Sequence, residues 1–547
     1  MLESLMGKLR NVLWIMADQL RWDYLSCYGH PHLHTPNMDS LAEKGVRFNK
    51  AYVQSPICGP SRMSFYTGRY VRSHGATWNG FPLRVGEPTL GDHLRDIGAE
   101  CVLVGKTHMI PDMEGMKRLG ISPESIIGVH TSECGFTPYE RDDGLHPEGI
   151  YDKNPPYNEY LRQQGFDGEN PWEEWANSAE DKDGSLLSGW LLKNSDKAAR
   201  VPEEHSETTY LTNSGIEFIK NSGEKPWLCH LSYIKPHWPY IVPSPYHNMY
   251  GPKHIIPPVR SNAERMTDHP VYKAWQNHRV CKAFSRDEVR ECVVPAYMGL
   301  IKQLDDQLGR LFTFLEQSGR MDDTMVVMSS DHGDYLGDHW LGEKDLFHDV
   351  SARVPLIVYD PREEADVSRG TVNNDLVEGI DLAPTFLELM GGQAKPHILE
   401  GRSLVPLLEG RKDKWRKYAI SEYDYSTRQS RLELKIDQAD ARLLMIFDGR
   451  WKYIHAEGFR SILFDLENDP DELIDLGASP DHKRTRARLH EALFSWTRQH
   501  HNRITRTPQQ INKMAAAGEP PGIQIGFWDE EELRESGRKS MHPPVNL

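Results

Sequence analysis

Residues 55–69 combine side chains that could support nucleophilic chemistry on an anionic substrate. Pro60 suits the first turn of a helix and Gly68 suits its end, so the sequence predicts a helix with Cys58 at its N-terminus. The free backbone N–H groups and the helix dipole favour negative charge there, and Arg62 adds a positive charge one turn later. The functional interpretation is an anion on or beside Cys58. The structural alternative is a capped turn with an unreactive thiol.

Two carboxylates follow apolar segments at distant points of the chain. Asp18 comes directly after the apolar stretch that ends at Ala17, and Asp331 comes after a second stretch that ends near Ser330. Because the carboxyl ends of parallel strands meet at one edge of a sheet, the two carboxylates could hold a divalent metal ion together. Taken singly, each could equally be a strand-end residue that caps a helix.

These side chains need alternating strands and helices to bring them together. Short continuous apolar runs separated by helical stretches are typical of a parallel sheet covered on both faces. We therefore expect an α/β fold with a large, mostly parallel (mixed) sheet sandwiched by helices, and functional groups that collect where the strands end. The predicted elements are the strands Asn11–Ala17, Cys101–Val104, Trp227–Tyr233, Met325–Ser329 and Pro355–Tyr359, and a helix around Asn37–Lys44.

The chain is expected to contain a catalytic domain over residues 1–420 and a smaller α+β subdomain over residues 421–547. Residues 110–210 are rich in Gly, Pro, Asn and acidic residues and have weak periodicity, so we predict a surface insertion that shapes the pocket. The subdomain should hold an antiparallel sheet, a helix and an extended tail. Its predicted elements are the strands Leu443–Phe447, Arg450–Ile454 and Ser461–Leu466, the helix Asp481–Gln499 and the tail 507–547.

Aromatic and imidazole side chains elsewhere carry weaker signals. Trp172, Trp175 and Trp190 in the insertion could line a pocket that accepts aromatic groups, but core packing is the favoured interpretation. The three His of residues 30–34 resemble a metal-binding tract, and a structural loop is favoured there.

Length, charge and composition argue against several classes of protein. The chain has 547 residues and a formal net charge of −16, which disfavours a nucleic-acid partner. Its hydrophobic content of 38% argues against a disordered chain. No apolar stretch is long enough to cross a membrane and no signal peptide is recognisable, so we expect a cytoplasmic protein without a membrane partner. The seven Cys follow no disulfide or CxxC pattern, which leaves at least one thiol unpaired.

The segment Cys58-x-Pro60-Ser61-Arg62, followed by Thr67-Gly68-Arg69, resembles the signature of the sulfatase family within the alkaline phosphatase superfamily. The resemblance runs in chain order from Asn11 to Pro470. Further matching segments are Asp18-Gln19, Gly105-Lys106-Thr107-His108, Pro236-His237-Trp238-Pro239, Ser330-Asp331-His332-Gly333, the single residue Lys344, and Phe464-Asp465-Leu466-Glu467-Asn468-Asp469-Pro470.

The resemblance implies an alkaline-phosphatase-like fold and two cofactors. One is formylglycine, made from Cys58 by post-translational oxidation, so a formylglycine-generating enzyme is expected as a partner during maturation. The other is one divalent metal ion, Mn²⁺ or Ca²⁺. The implied metal ligands are Asp18, Gln19, Cys58, Asp331 and His332.

Two of these ligand positions depart from the common sulfatase pattern, which has Asp in place of Gln19 and Asn in place of His332. Two carboxylates balance the charge of a divalent ion, and an imidazole ligand shifts preference from Ca²⁺ toward Mn²⁺ or another borderline ion. These two residues resemble the phosphonate monoester hydrolase branch of the family. Lys106 and His108, in contrast, resemble the sulfatase pair, so the motifs leave the substrate open.

The resemblance also implies roles in catalysis. His237 would protonate the leaving oxygen, and His108 would take a proton from the second hydroxyl of the hydrated aldehyde. Lys106 and Lys344 would hold the non-bridging oxygens. Taken alone, each His is more simply a hydrogen-bonding residue, Lys344 a solvated charge and Asn79 a turn residue. The implied catalytic set is Cys58, Arg62, Lys106, His108, His237 and Lys344, and the implied substrate-binding set is Asn79, Lys106, His237 and Lys344.

The sequence thus predicts a metal-dependent sulfuric ester hydrolase of the arylsulfatase type, promiscuous toward phosphonate monoesters and phosphodiesters. Its substrates would be small sulfate or phosphonate esters, and a homo-oligomer (dimer or tetramer) is expected by analogy with the family. One alternative is a dedicated phosphonate monoester or phosphodiester hydrolase. An alternative of another class is a non-catalytic anion-binding protein in which Cys58 stays a thiol.

Overall fold

The computed structural model of the chain describes residues 9–147, 154–411, 414–499, 503–517 and 528–537. Its contacts define two compact units. The first extends to Ala394 and resumes over Leu399–Gln499, and the second comprises Lys395–Ile398 and the chain beyond Gln499. The two principal sheets lie in the first unit, and the predicted domain boundary at residue 420 stays a prediction.

Strands and helices alternate through most of the chain. The strands are β1 (Asn11–Ala17), β2 (Val46–Tyr52), β3 (Glu100–Gly105), β4 (Thr137–Arg141), β5 (Ser178–Glu180), β6 (Leu186–Ser188), β7 (Ala198–Ala199), β8 (Trp227–Tyr233), β9 (Val242–Pro243), β10 (Thr324–Ser330), β11 (Arg353–Tyr359), β12 (Thr371–Glu378), β13 (Ala419–Asp424), β14 (Arg442–Phe447), β15 (Trp451–Ala456) and β16 (Ile462–Asp465). The α-helices are α1 (Pro36–Lys44), α2 (Cys58–Thr67), α3 (Val71–His74), α4 (Leu90–Arg95), α5 (Met113–Leu119), α6 (Ile126–Ser132), α7 (Pro156–Gln163), α8 (Glu207–Asn221), α9 (Asn262–Arg265), α10 (Pro270–Gln276), α11 (Arg279–Phe284), α12 (Asp287–Gln317), α13 (Asp349–Ala352), α14 (Leu382–Leu389), α15 (Val405–Leu408), α16 (Gln429–Leu434), α17 (Lys483–Thr497), α18 (Pro508–Ala517) and α19 (Glu530–Glu535).

Eight strands form one large mixed sheet in the order β12-β2-β11-β10-β1-β8-β3-β4. β1 runs parallel to its neighbours β10 and β8, and β3 runs parallel to β8 and β4. β11 is antiparallel to both β10 and β2, and the edge strand β12 is parallel to β2. The sheet is therefore mostly parallel, with β11 as the strand that reverses direction.

β1 shows that helices cover both faces of this sheet. All of its residues are buried, as expected for a central strand in an α/β protein. Leu13 and Ile15 belong to a core cluster with residues of α8 and α12, whereas Val12, Trp14 and Met16 belong to a second cluster with residues of α2 and α14. The predicted α/β fold, a mixed sheet sandwiched by helices, is confirmed.

The register of the central strands aligns their carboxyl ends. Ala17 at the end of β1 pairs with Ser330 of β10 on one side and with Tyr233 of β8 on the other. Gly105 at the end of β3 pairs with Ser232 of β8. The loops that follow β1, β3, β8 and β10 therefore begin at the same edge of the sheet, where the sequence places the functional groups.

The segment 110–210, predicted as a surface insertion, lies only partly on the surface. It includes β4, an edge strand of the large sheet that pairs with β3. Its Phe136, Tyr157 and Trp172 are buried in the two core clusters. The strand is hard to recognise because its sequence, Thr-Pro-Tyr-Glu-Arg, is polar and contains a Pro, which an edge strand tolerates.

The second principal sheet has the order β13-β14-β15-β16, and all of its neighbouring strands are antiparallel. α17 packs on it through Leu489 and Leu493, which contact the cluster that contains Ile446 and Tyr453. This confirms the predicted C-terminal antiparallel sheet. Much of the predicted tail lies outside the described residues.

Among the described residues, none of the helices combines the length and the apolar character that a membrane span requires.

A buried carboxylate on α12 holds the start of α1. Asp305 is fully buried, and its Oδ1 accepts hydrogen bonds from the backbone N–H groups of Asn37 (3.1 Å) and Met38 (2.9 Å). The Asn37 side chain also donates to Oδ2 of Asp305 at 3.0 Å. Thr35, at the N-cap position, makes no capping hydrogen bond with its side chain. Asp305 therefore performs the capping role from a distant point of the chain.

We expect Asp305→Ala to lower the free energy of unfolding by about 1–3 kcal/mol, because backbone donors of α1 lose their acceptor inside the protein. Asp305→Asn tests how the ionisation of this carboxyl group affects the free energy of unfolding. Burial raises the pKa of Asp305 to about 6, from an ordinary value of 3.8. The folded state therefore holds this proton more tightly, and the associated stability is lost as the pH rises from about 4 to about 6.

Urea unfolding of the wild type and of Asp305→Asn across this pH range measures the effect. The wild type should lose stability relative to the variant as the pH rises. The prediction would be contradicted if the difference in free energy of unfolding between wild type and variant did not change with pH, or if the wild type became relatively more stable as the pH rises.

Candidate active site

Loops from the carboxyl edge of the large sheet converge on the N-terminus of α2. The helix begins at Cys58, all of its residues are buried, and Gly68 ends it in the left-handed conformation (φ 63°). This agrees with the helix predicted from residues 55–69. The side chains that the converging loops bring are Asp18 and Gln19 after β1, Lys106 after β3, His237 after β8, and Asp331 and His332 after β10.

Arg62 ties α2 to these loops through buried ion pairs. Its Nε donates to Asp331 Oδ2 at 2.7 Å, and its Nη2 donates to Asp18 Oδ2 at 3.2 Å. Its Nη1 donates to the carbonyl oxygen of Lys106 at 3.0 Å and to Ser232 Oγ at 2.8 Å. The guanidinium has no exposed surface, so it compensates two buried carboxylates and fixes the helix one turn beyond Cys58.

The Cys58 thiol lies among cationic side chains. Lys344 Nζ is 3.1 Å from Sγ and His332 Nε2 is 3.0 Å from it, while Asp18 Oδ1 is 3.8 Å away. Although burial favours the neutral thiol, the positive charges of Lys344, His332 and Lys106 hold the pKa of Cys58 well below its ordinary value. Position 58 therefore favours a negative charge.

Lys106 forms a second buried ion pair, with Nζ 2.6 Å from Asp18 Oδ2. Burial and the neighbouring Cys58 would raise the pKa of Asp18, but Lys106, together with His237 and Arg62, holds it below its ordinary value. The Asp18 carboxylate is therefore ionised at neutral pH. It can serve as a metal ligand with its other oxygen, Oδ1, which faces Cys58.

Four side chains form a cluster that can hold a metal ion. The residues are Asp18, Cys58, Asp331 and His332, each of which offers one ligand atom within 4.8 Å of the others, and all four are buried. His332 Nδ1 is 2.9 Å from the carbonyl oxygen of Gly333, so Nε2 is the nitrogen that faces the cluster. Burial opposes a charged imidazole, but Asp331 and Cys58 raise the pKa of His332 to about 8. Two carboxylates and an imidazole suit a divalent ion of borderline character.

Gln19 is oriented by residues that the sequence does not single out. Its Nε2 donates to Tyr240 OH at 3.1 Å and also to Asp334, and Tyr240 OH donates to Asp334 Oδ2 at 2.6 Å. These bonds leave Oε1 to accept from Lys344 Nζ at 3.2 Å. The predicted ligand oxygen therefore lies beside the cluster. Asp334 could have been suspected, because it follows Asp331 in the same strand-end loop.

His237 contacts Lys344 in a defined tautomer. Its Nδ1 is 2.6 Å from the carbonyl oxygen of Trp238 and donates to it, so Nε2 accepts from Lys344 Nζ at 3.2 Å. Burial and the adjacent Lys344 charge lower the pKa of His237 to about 3. In this state His237 is neutral, and Lys344 holds the proton that the pair shares.

His108 and Asn79 lie at the edge of this group. The backbone N–H of His108 donates to Asp143 Oδ1 at 3.0 Å, with His108 in the left-handed region (φ 56°). Asn79 Oδ1 accepts from the backbone N–H of Gly59 at 2.7 Å, so any donation to an anion must come from its Nδ2. A Cβ at residue 59 would lie 2.8 Å from Asn79 Oδ1, which explains the glycine after Cys58.

Lys235 is a buried residue of the site that the sequence interpretation missed. Its Nζ donates to the carbonyl oxygens of Pro239 at 2.8 Å and of His237 at 3.3 Å, and so holds the loop that carries His237. Burial lowers the pKa of Lys235 to about 8. Its position just after the end of β8, where functional groups were expected, could have identified it from the sequence.

Two known families match this chain. The sulfatase family matches residues 10–392, and the family described as N-sulphoglucosamine sulphohydrolase, C-terminal, matches residues 337–499. The two matches together extend from β1 to the end of the first compact unit.

Individual relatives are similar over nearly the whole chain. A multifunctional alkaline phosphatase superfamily protein, PehA of Trinickia caryophylli, is 31% identical over 90% of this chain and 96% of its own. An arylsulfatase of Clostridium perfringens is 27% identical over 86% of this chain and 91% of its own. Among solved structures, the phosphonate monoester hydrolase of Silicibacter pomeroyi is 27% identical, with a TM-score of 0.78 over 90% of this chain and 96% of its own. The resemblance found in the motifs is confirmed: the chain belongs to the sulfatase family of the alkaline phosphatase superfamily.

Proposed function

We propose that the protein is a metal-dependent hydrolase of sulfate monoesters, active on aryl sulfates, that also accepts phosphonate monoesters and phosphodiesters. The position of Cys58 carries the proposal. Its Sγ lies 3.1 Å from Lys344 and 3.0 Å from His332, at a helix N-terminus and inside a buried cluster of metal ligands. A nucleophile at this position is surrounded by the charges that stabilise a developing anion.

The nucleophile is proposed to be formylglycine, made from Cys58 by a formylglycine-generating enzyme. A hydrated aldehyde supplies one oxygen for attack and a second hydroxyl whose ionisation releases the bound acid group. His108 is the proposed base for that hydroxyl, because it lies beside the thiol and its hydrogen bonding contributes to the low pKa of Cys58.

The metal ion is proposed to be Mn²⁺ or Ca²⁺. Asp18, Gln19, Asp331 and His332 would hold it together with residue 58. A divalent ion supplies charge that favours an ionised oxygen at residue 58 and polarises the ester oxygens. Arg62 keeps the two carboxylates in place from the opposite side.

Lys106 and Lys344 are proposed to bind the non-bridging oxygens of the ester. The leaving oxygen needs a proton, and His237 and Lys344 are the pair beside residue 58 that can deliver it. Because His237 Nδ1 donates to the carbonyl of Trp238 and Nε2 accepts from Lys344, the proton would start on Lys344. His237 would take it up at Nε2, leaving Lys344 neutral, and then donate it from the same nitrogen to the leaving oxygen. This sharpens the role expected for His237, which does not hold that proton in the resting geometry.

The charges of the site suit an anionic ester. The side chains of Arg62, Lys106 and Lys344 face the carboxylates of Asp18 and Asp331, and a divalent ion adds positive charge. Sulfate monoesters, phosphonate monoesters and phosphodiesters each carry one negative charge near neutral pH. The arylsulfatase relative and the Lys106–His108 pair support the aryl sulfate as the main substrate.

A dedicated phosphonate monoester hydrolase is the second candidate. The structural similarity to the enzyme of Silicibacter pomeroyi, with a TM-score of 0.78, favours it. Gln19 and His332, which depart from the common sulfatase pattern, favour it as well. A tenfold preference needs only about 1.4 kcal/mol of differential transition-state binding, so a small change in contacts could decide between the two candidates.

The chemical state of residue 58 tests the nucleophile. We expect protein made together with a formylglycine-generating enzyme to yield a peptide over residues 55–62 that carries the aldehyde or its hydrate, measured by mass spectrometry. Cys58→Ala should lose turnover by about three orders of magnitude or more, because the nucleophile is removed. An unmodified thiol in inactive protein made beside a competent maturation enzyme would support the anion-binding alternative. A Cys58→Ala variant with full turnover would overturn the proposed nucleophile.

A substrate panel with one leaving group separates the two candidate activities. p-Nitrophenyl sulfate, p-nitrophenyl phenylphosphonate and bis(p-nitrophenyl) phosphate should all be hydrolysed, with kcat/KM values within about a thousandfold of one another. The dianionic p-nitrophenyl phosphate serves as the comparison of different charge. If one class exceeds the others by a larger factor, the protein is a dedicated enzyme for that class.

Metal binding tests the ligand set without reference to activity. In calorimetric titrations of metal-free protein, we expect His332→Asn to lower the affinity for Mn²⁺ relative to Ca²⁺ by about tenfold, because an amide oxygen replaces a nitrogen ligand. His34→Asn, which changes an exposed imidazole, is the control and should leave the ratio unchanged. An unchanged ratio in His332→Asn would remove this imidazole from the ligand set.

A further inference from the structure

A cavity of about 810 Å³, called here the side cavity, opens next to the site. Its walls come from residues 189–193, from residues 238–240, from residues between 279 and 292, and from Glu343. A volume of this size is typical of a pocket for a small molecule. The predicted site residues do not line it, so the chemistry described above leaves it unused.

The side cavity lies within reach of an ester at residue 58. Trp238 in its wall packs its ring 4.4 Å from the ring of His237. His237 Nε2 is 3.2 Å from Lys344 Nζ, which is 3.1 Å from Cys58 Sγ. Two side chains therefore separate the wall from the reacting position, and they are the two proposed to deliver a proton to the leaving oxygen.

Aromatic rings form one wall of the side cavity. The Trp190 ring is 5.9 Å from Trp238 and 5.8 Å from Trp172, which is buried in the core. Trp190 is 37% exposed, and its Nε1 donates to Glu173 Oε2 at 3.0 Å, which fixes the orientation of the indole. A large aromatic side chain is thus held on the surface of a cavity instead of inside the core.

Other features of the wall also suit a flat ligand. Trp238 Nε1 is buried without a hydrogen-bond partner. Phe284 and Tyr240 form an edge-to-face pair at 6.1 Å on the wall. The wall carries both signs of charge: Glu343 lies next to Lys344, and one Lys and two Arg line other parts of the cavity.

We propose that the side cavity receives an aromatic leaving group, and that Trp190 is the residue that selects for it. The inference rests on the proposed function, since it identifies the part of an ester substrate that the cavity would bind. Trp238 and Trp190 contact the ring faces, as aromatic pairs in proteins do at such separations. It also gives a role to the part of the 110–210 segment that lies outside the core.

The test compares leaving groups in Trp190→Ala and the wild type. The substrates are the naphthyl and methyl esters of phenylphosphonic acid and of sulfuric acid. For each ester, the ratio of kcat/KM between variant and wild type cancels the intrinsic reactivity of the leaving group. We expect Trp190→Ala to lower kcat/KM about tenfold for the naphthyl esters and less than twofold for the methyl esters. Trp190→Phe should retain most of the preference.

Trp175→Ala is the matched control. Trp175 lies in the same segment and packs against Arg200 (3.9 Å) and Phe166 (5.1 Å), away from the side cavity. Trp175→Ala should leave the ratio of kcat/KM between naphthyl and methyl esters unchanged. If Trp190→Ala affects both ester types equally, or if Trp175→Ala shifts the ratio as much, Trp190 is not a specificity residue.

A binding measurement separates failure of this inference from failure of the proposed function. Naphthalenesulfonate carries the aromatic group and a single negative charge but has no ester bond. By calorimetry, Trp190→Ala should bind it about tenfold more weakly than the wild type and Trp175→Ala should bind it equally well. If the wild type hydrolyses none of the esters yet shows this pattern, the function is wrong and the cavity assignment stands. Equal binding by the wild type and Trp190→Ala overturns the assignment.

Discussion

The buried guanidinium of Arg62 is the interaction on which the site depends. It bonds Asp18 and Asp331, and through Lys106 and Ser232 it also contacts the ends of β3 and β8. Four strand ends and α2 therefore meet at one side chain. Without it, the buried Asp331 would lose its ion pair with Arg62, while Asp18 would keep Lys106 as a partner. Removing one partner of a buried ion pair typically costs about 3–5 kcal/mol. The same bonds place Cys58, one turn earlier on α2, against the candidate metal ligands.

Much of this arrangement could be predicted from the sequence because it follows from where strands end. The predicted bounds of β1 and β8 agree with the structure, and the residues expected at the sheet edge lie there. Three details could not be predicted. β4 is polar because one side of an edge strand is open to solvent. Gln19 is oriented by Tyr240, and the tautomer of His237 is set by a backbone carbonyl, contacts that depend on tertiary structure alone.

The net charge of −16 is compatible with a site that suits anions, because surface charges and buried charges affect a ligand over different distances. Surface charges are screened within about 8–10 Å at ordinary ionic strength. A polyanion would contact much of that acidic surface, whereas the small ester proposed as substrate would contact the buried Lys106, Lys344 and the N-terminus of α2. In a site shielded from water these few charges interact more strongly than the many on the surface.

The groups proposed to bind the ester's acid part and those proposed to bind its leaving group stand on different elements. The former stand on strand ends joined by Arg62, where a displaced residue would leave a buried charge unpaired. The side cavity shares residues 238–240 and Glu343 with the surroundings of that site, but its other walls are residues 189–193 and the region between 279 and 292, where Trp190 and Arg279 are exposed. Changes there cost less stability, because exposed side chains have little packing to lose. Leaving-group preference can therefore change while the geometry around residue 58 stays the same.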